Sequence, residues 1–244
     1  MRHPCLVSTV RSLGFFQVKR SLVFDSVDEH RWLSLVAEEV RIRIASWVFL
    51  ADGFLTVCFK NHPALSIFEM DCPLPWSPEL WEAEDFATFA SLTSEGSMRS
   101  LQPPLKDVVS QLLEKPESDP PITWSSSLSP EDLLILIYAI NSLAFQARTG
   151  LLHFLPLTTI SRGAKNWKQI WDSVITSMTQ KHFLHLGYPK HAEELWWLLT
   201  VTLETTNGPG ADLAYLDGNA TDELGNLNEF IQWCYKQARQ RDVS

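Results

Sequence analysis

The stretch Trp32-Leu33-Ser34-Leu35-Val36-Ala37-Glu38-Glu39-Val40-Arg41-Ile42-Arg43-Ile44-Ala45-Ser46-Trp47-Val48-Phe49-Leu50-Ala51-Asp52-Gly53 decides the fold. Its apolar residues recur at steps of three and four, the period of a helix, and never settle into the alternation of a strand. The pattern runs over residues 31–60. A break is expected near Gly53, because glycine is among the poorest helix formers. Next comes a proline-punctuated connection, from Asn61-His62-Pro63 to Cys72-Pro73-Leu74-Pro75-Trp76. Proline has no N–H to give a helix or a sheet ladder, so this segment reads as extended or looped.

Outward from that connection, helix signals continue to the end of the chain. Ser77-Pro78-Glu79 restarts a helix with a capping hydroxyl, a proline at the first turn and an acid at the positive dipole end. Leu105–Glu114 is a short amphipathic helix, and Ser129-Pro130-Glu131-Asp132 opens the very apolar helix Leu133–Arg148. A further helix is predicted over Ser161–His185, with Trp167, Ile170-Trp171, Val174-Ile175 and Met178 on one face. Pro189 begins another, carrying Trp196-Trp197-Leu198-Leu199, and Asp222–Arg241 is the last. Loops are expected near 61–77, 93–104, 115–130 and 206–221. With no sustained period-two segment and no internal repeat, the chain reads as all-α, a multi-helix single domain over residues 25–244.

Residues 1–24 form a separate segment. They carry Arg2, Arg11, Lys19 and Arg20 and no acid. That bias is shared with mitochondrial transit peptides, but a helix belonging to the domain is the preferred reading. The 244-residue chain has a net charge of −9, so residues 25–244 carry −13. An acidic body argues against a protein that neutralises nucleic-acid phosphates. No segment reads as a membrane span. Leu133–Ala147 is too short, and Ile44–Phe59 is interrupted by Asp52.

The chemistry-bearing residues lack the required patterns. Cys5, Cys58, Cys72 and Cys234 form no close pair, which a structural zinc site needs. Cys58, His62 and Cys72 are the nearest approach to a cluster. His182 and His185 are three apart, with His191, Glu193 and Glu194 following, but the H-E-x-x-H arrangement is missing and a helix-end packing role is expected. No phosphate-cradling glycine loop and no G-x-S-x-G elbow is present. The adjacent acids Glu38-Glu39, Glu193-Glu194 and Asp222-Glu223 read as solvated faces. Most of the ten Trp sit beside Leu, Ile and Val at helical spacing and are expected in the core, with Trp76 and Trp81 clamping the proline-rich turn onto a helix. No catalytic, cofactor-binding or metal residues are assigned, and no enzyme activity is expected.

One segment is specific in its order. Trp32, Glu38-Glu39-Val40-Arg41-Ile42-Arg43, Trp47, Leu50 and Asp52 are followed by Phe59, Pro63, Leu65-Ser66, Glu69, Leu74-Pro75 and Trp81. Downstream come Phe145-Gln146-Ala147-Arg148-Thr149, Trp167-Lys168 with Trp171, Ala192-Glu193-Glu194-Leu195-Trp196-Trp197-Leu198, and Asn228-Glu229-Phe230-Ile231. From about Val10 to Trp233 this resembles the fungal-specific transcription factor regulatory domain, closest to the branch that carries C2H2 zinc fingers.

The resemblance implies a nuclear regulator of transcription, controlling metabolic or secondary-metabolite genes through self-association or a co-regulator. It also implies a domain incomplete at its N-terminus, and the zinc-binding DNA-reading module has no counterpart in this sequence, so no direct DNA binding is expected. Within the motif, Arg43 and Asp52 are expected to pair, and the charged residues to hold helices and the Pro63–Pro75 connection in register. Three other readings stay open: a stand-alone partner that titrates a full-length relative, a truncated gene product, and an α-helical enzyme with His182, His185 and Glu193 converging on a pocket.

Overall fold

The sixteen core-facing residues of one helix organise the molecule. The computed structural model describes residues 3–20, 28–94, 103–116, 128–150, 155–205 and 212–241. Among these, α1 (His3–Ser12) and a 3-10 turn (Phe15–Gln17) precede the long α2 (Glu29–Phe59). A second 3-10 turn (Ile67–Glu69) lies in the proline-rich connection and leads to the single-turn α3 (Pro78–Trp81). Then come α4 (Phe86–Ser94), α5 (Leu105–Glu114), α6 (Pro130–Thr149), α7 (Leu157–Ser177), α8 (Gln180–His185), a 3-10 turn (Tyr188–His191), α9 (Ala192–Thr205) and α10 (Gly225–Arg241). No strand occurs among the described residues, only an isolated bridge between Pro73 and Pro104. The all-α architecture expected from the sequence is what is found.

The organising helix is α6. Almost every residue from Pro130 to Ala147 is buried, and a helix apolar on all sides must be enclosed. Its start is fixed by a capping box: the Ser129 hydroxyl accepts from the Asp132 N–H at 3.3 Å, and the Asp132 carboxylate accepts from the Ser129 N–H at 2.8 Å. Helices α2, α7 and α9 pack around α6. Trp167 and Trp171 of α7 are stacked with centroids 5.3 Å apart, and the Trp167 indole donates to the Leu133 carbonyl at 2.8 Å. Helix α7 also closes the end of α5. Arg162 donates to the Leu113 carbonyl at 2.8 Å, and Asn166 to the Leu112 and Lys115 carbonyls at 2.8 and 2.9 Å. These are among the carbonyls that a helix C-terminus leaves without partners of its own.

Several expectations are corrected. Helix α2 does not break at Gly53. It continues to Phe59, and a Cβ at Gly53 would stand 2.9 Å from Cδ1 of Tyr138. The glycine is there for close approach of α6, not for a bend. The predicted helix Ser161–His185 is two helices, because Met178 and Thr179 are extended and the Thr179 hydroxyl accepts from the His182 N–H at 3.3 Å to cap a new start. Pro189 lies in the Tyr188–His191 3-10 turn, and the following helix begins at Ala192. The last helix begins at Gly225 instead of Asp222. The loops expected at 93–104 and 115–130 fall in large part on 95–102 and 117–127, outside the described residues, while of the loop expected at 206–221 residues 212–221 are described and form turns without helix or strand.

Helix α2 is also long and apolar enough, by length and composition, to cross a membrane; half of its most apolar window is buried against the rest of the domain. Glu39 and Asp52 are buried within it as well. It is built as a core helix with charged tethers.

Candidate functional site

The charged residues of α2 converge on the proline-rich connection. Glu39 is fully buried. Its carboxylate accepts from the Trp76 backbone N–H at 2.7 Å, from Arg20 Nη2 at 2.7 Å and from Arg43 Nε at 3.0 Å. Arg20 also donates to the Leu74 carbonyl at 3.1 Å, and Arg43 to the Trp76 carbonyl at 3.0 Å. Burial pushes the Glu39 carboxyl above its ordinary value, opposed by Arg20, the Trp76 N–H and Arg43. Two guanidiniums and one N–H around one carboxylate satisfy a buried charge that would otherwise be very costly. The acid pair Glu38-Glu39 is thus not a solvated face, since one member is the centre of a buried network.

Nineteen or so ångströms along the same helix, by its rise per residue, Asp52 does the corresponding work. It is buried and accepts from the Ala64 and Leu65 N–H groups at 3.1 and 3.0 Å, with His3 Nε2 at 2.8 Å. Asp52 and Arg43 do not pair. Nine residues of helix turn through about 900°, which puts them on opposite sides of the cylinder. The wider expectation holds: Asp52 fastens the start of the Pro63–Pro75 connection and Glu39 its end.

The basic N-terminal residues are absorbed into the same frame. Arg11 forms a two-pronged contact with Glu69 at 2.6 and 3.1 Å and donates to the Ala64 carbonyl at 3.0 Å. That contact holds the Glu69 carboxyl below its usual range. Lys19 lies 3.5 Å from Asp71. Helix α1 buries Val7 and Val10.

Trp76 enters a small second core with Leu35, Leu80 and Phe89. The Arg43 guanidinium lies 4.3 Å from the centre of the Trp81 ring. The two tryptophans therefore clamp the proline-rich turn onto α2 as expected. The buried indole N–H of Trp76 has no hydrogen-bond partner. Trp47 departs from the core expectation, being 70% exposed.

Beside this network lies a cavity of about 590 Å³. One wall is α2, with Trp47, Leu50 and Phe54; the other is the first half of α6, with Leu134, Ile135 and Tyr138. Leu186, Tyr188 and Pro189 close one side, and the Tyr138 and Tyr188 hydroxyls are 2.6 Å apart. Arg43, Ser129, Glu131 and Asp132 supply its polar groups. The chemistry suits an apolar group or side chain.

The candidate metal and catalytic residues do not gather. His182 and His185 lie exposed on α8, His191 contacts Glu194 at 2.9 Å, and Glu193 contacts Lys168 at 3.1 Å. None of His182, His185 and Glu193 lines the cavity. Cys72 is buried, Cys58 partly so, and the His62 ring meets Phe145 edge-on at 5.1 Å. Among the described residues no three His, Cys, Asp or Glu side chains are placed to hold a metal ion. Sequence reading missed the cavity, whose walls come from segments far apart in the chain. It also missed the burial of Glu39, for which the spacing to Arg43, one helical turn, was the available signal.

Comparison with known proteins agrees with the resemblance carried by the α2 motif. The family model described as the fungal specific transcription factor domain matches residues 8–171. Transcription factor verF of Penicillium polonicum is 23% identical over 97% of this chain and 36% of its own length. The Schizosaccharomyces pombe zinc finger proteins klf1 and zas1 are 23% and 27% identical, over 53% and 58% of this chain and 15% and 16% of theirs. The chain thus spans little more than a third, or less, of the length of these relatives. No solved structure matches. With two thirds of its residues inside the matched region and the motif's charges fastening the connection that follows α2, the chain belongs to the fungal-specific transcription factor domain family.

Proposed function

We propose that this chain is the regulatory, non-DNA-reading part of a transcription factor, acting in the nucleus on metabolic or secondary-metabolite genes through protein–protein contacts. Family membership carries the reading. The surface supports it. The body is acidic, and the basic residues Arg11, Arg20 and Arg43 are engaged in ion pairs instead of forming a phosphate-binding face. Apolar side chains that a lone domain would cover stand exposed on α2, which suits a protein partner better than a polyanion.

Residues 1–244 tethered to a heterologous DNA-binding domain are expected to change expression of a reporter, and a fluorescent fusion is expected in the nucleus. The purified chain is expected to leave promoter DNA unshifted. Specific, salt-sensitive retardation of DNA by the purified chain would overturn the proposal, as would a tethered fusion with no effect on the reporter.

A further inference from the structure

Helix α2 carries a stripe of exposed apolar residues at strict heptad spacing. Leu33, Ala37, Val40, Ile44, Trp47, Ala51 and Phe54 follow one another at steps of four and three. All seven are exposed, with Leu33 at 57% and Trp47 at 70%. Between Leu33 and Phe54 the only other exposed residue of the helix is Arg41. The stripe is therefore the narrow two-in-seven seam of a helix pair, not the broad apolar face by which a helix packs on a globular core. The core-facing side of the same helix is already filled by Leu35, Ile42, Ala45 and Phe49.

We propose that this seam pairs antiparallel with the same seam of a second copy of the chain. The size pattern selects both the partner and the direction. One register of the heptad holds Leu33, Val40, Trp47 and Phe54; the other holds Ala37, Ile44 and Ala51. In an antiparallel pair each register faces the other, so every Ala meets a bulky side chain and the layers interdigitate. A parallel pair would set Ala37 and Ala51 against their own copies and leave gaps, while Trp47 and Phe54 collided with theirs. The arrangement is self-complementary, as a two-fold interface must be.

The area is adequate. The seam with the neighbouring exposed Trp81 and Tyr188 presents on the order of 700 Å² per protomer, close to the ~800 Å² that a standard interface takes from each partner. Trp47 and Phe54 also form the rim of the cavity between α2 and α6, so the partner helix would close its mouth.

This rests on the regulatory reading in that both assign the domain to protein contacts, but the two fail separately. Sedimentation equilibrium of the full chain from about 1 to about 100 μM spans the affinities expected of such an interface. Twice the 27.8 kDa chain mass is expected. Ile44→Glu and Trp47→Glu alter exposed side chains, so they should give the single mass with an unchanged far-UV circular dichroism spectrum. Leu13→Glu, equally exposed but off the seam, should remain a dimer.

In a Cys5→Ser background, Ala37→Cys should form no disulfide with its own copy, because antiparallel overlap holds the two sites at least ~15 Å apart. A monomeric wild-type chain at ~100 μM overturns the pairing; so does a dimer that survives both seam variants, or one that Leu13→Glu dissolves. An efficient Ala37→Cys cross-link overturns its direction. A monomer that still drives the tethered reporter would sink the pairing and leave the regulatory reading standing.

Discussion

The carboxylate of Glu39, fully buried in α2, accepts the backbone N–H of Trp76 at 2.7 Å while two guanidiniums hold its other lone pairs. The contact spans 37 residues and fixes where the proline-rich connection ends. At the other end Asp52 holds the N–H groups of Ala64 and Leu65. A connection with three prolines between Pro63 and Pro75 cannot satisfy itself through helix or sheet ladders. Glu39 and Asp52 supply the missing acceptors from outside.

Glu39→Gln keeps the shape and removes the charge, which leaves Arg20 and Arg43 facing each other across a neutral amide. Breaking a buried pair in this way costs about 3–5 kcal/mol. Urea denaturation should show a loss in that range, and a loss below about 1 kcal/mol would remove Glu39 from the centre of the network.

Asp52→Ala releases two backbone N–H groups at the start of the connection. Each unsatisfied buried donor costs about 1–3 kcal/mol. Limited proteolysis should then cut near Pro63–Glu69, where the wild-type chain resists. Equal resistance of the two proteins would show that other contacts hold the segment.

Gly53→Ala distinguishes a hinge from a close approach. Helix propensity alone would favour alanine by about 1 kcal/mol. The Cβ would instead press on Tyr138, and overpacking of this kind costs about 1–3 kcal/mol. A net decrease in thermal stability is expected; an increase would mean that α6 is free to retreat.

Lys60 gives a pH signature. It caps α2 in the left-handed region, φ 56°, and is 5% exposed with its ammonium 3.3 Å from the centre of the Tyr215 ring. Burial, reinforced by Arg148, pushes its pKa down to about 7 from 10.5. The unfolded chain holds the proton more tightly, so the folded state is penalised fully below pH 7 and the penalty is relieved as pH rises from about 7 toward 10.5. Lys60→Met should therefore stabilise the protein by a few kcal/mol at pH 6, with the gap to wild type narrowing toward pH 9. A gap that is constant over this range would show that the Tyr215 and Phe145 faces hold the ammonium charged in the fold.

Helix existence was legible because it is local. Apolar spacing, Ser129 as a cap and the prolines that bound each segment act within a few residues of where they stand. The site was legible as a motif but not as a geometry. Arg43 finds Glu39 because four residues make one turn, while its expected partner Asp52 faces away, and the register that opposes them to Trp76 and Leu65 depends on how the connection folds back. Gly53 looked like a helix breaker because its use, admitting Tyr138, lies 85 positions away in α6.

By itself the sequence determined an all-α body, its family and the segment that identifies it, since each depends on order and short-range spacing. Only the tertiary structure decided which apolar face of α2 turns inward. The helix is apolar on nearly every side, so periodicity alone leaves its orientation undetermined. The folded domain buries Ile42, Ala45 and Phe49 in the main core that holds α6, and Leu35 in the small core with Trp76, Leu80 and Phe89. What remains outside is the heptad from Leu33 to Phe54, and its exposure follows from which neighbours α2 has, not from anything within α2.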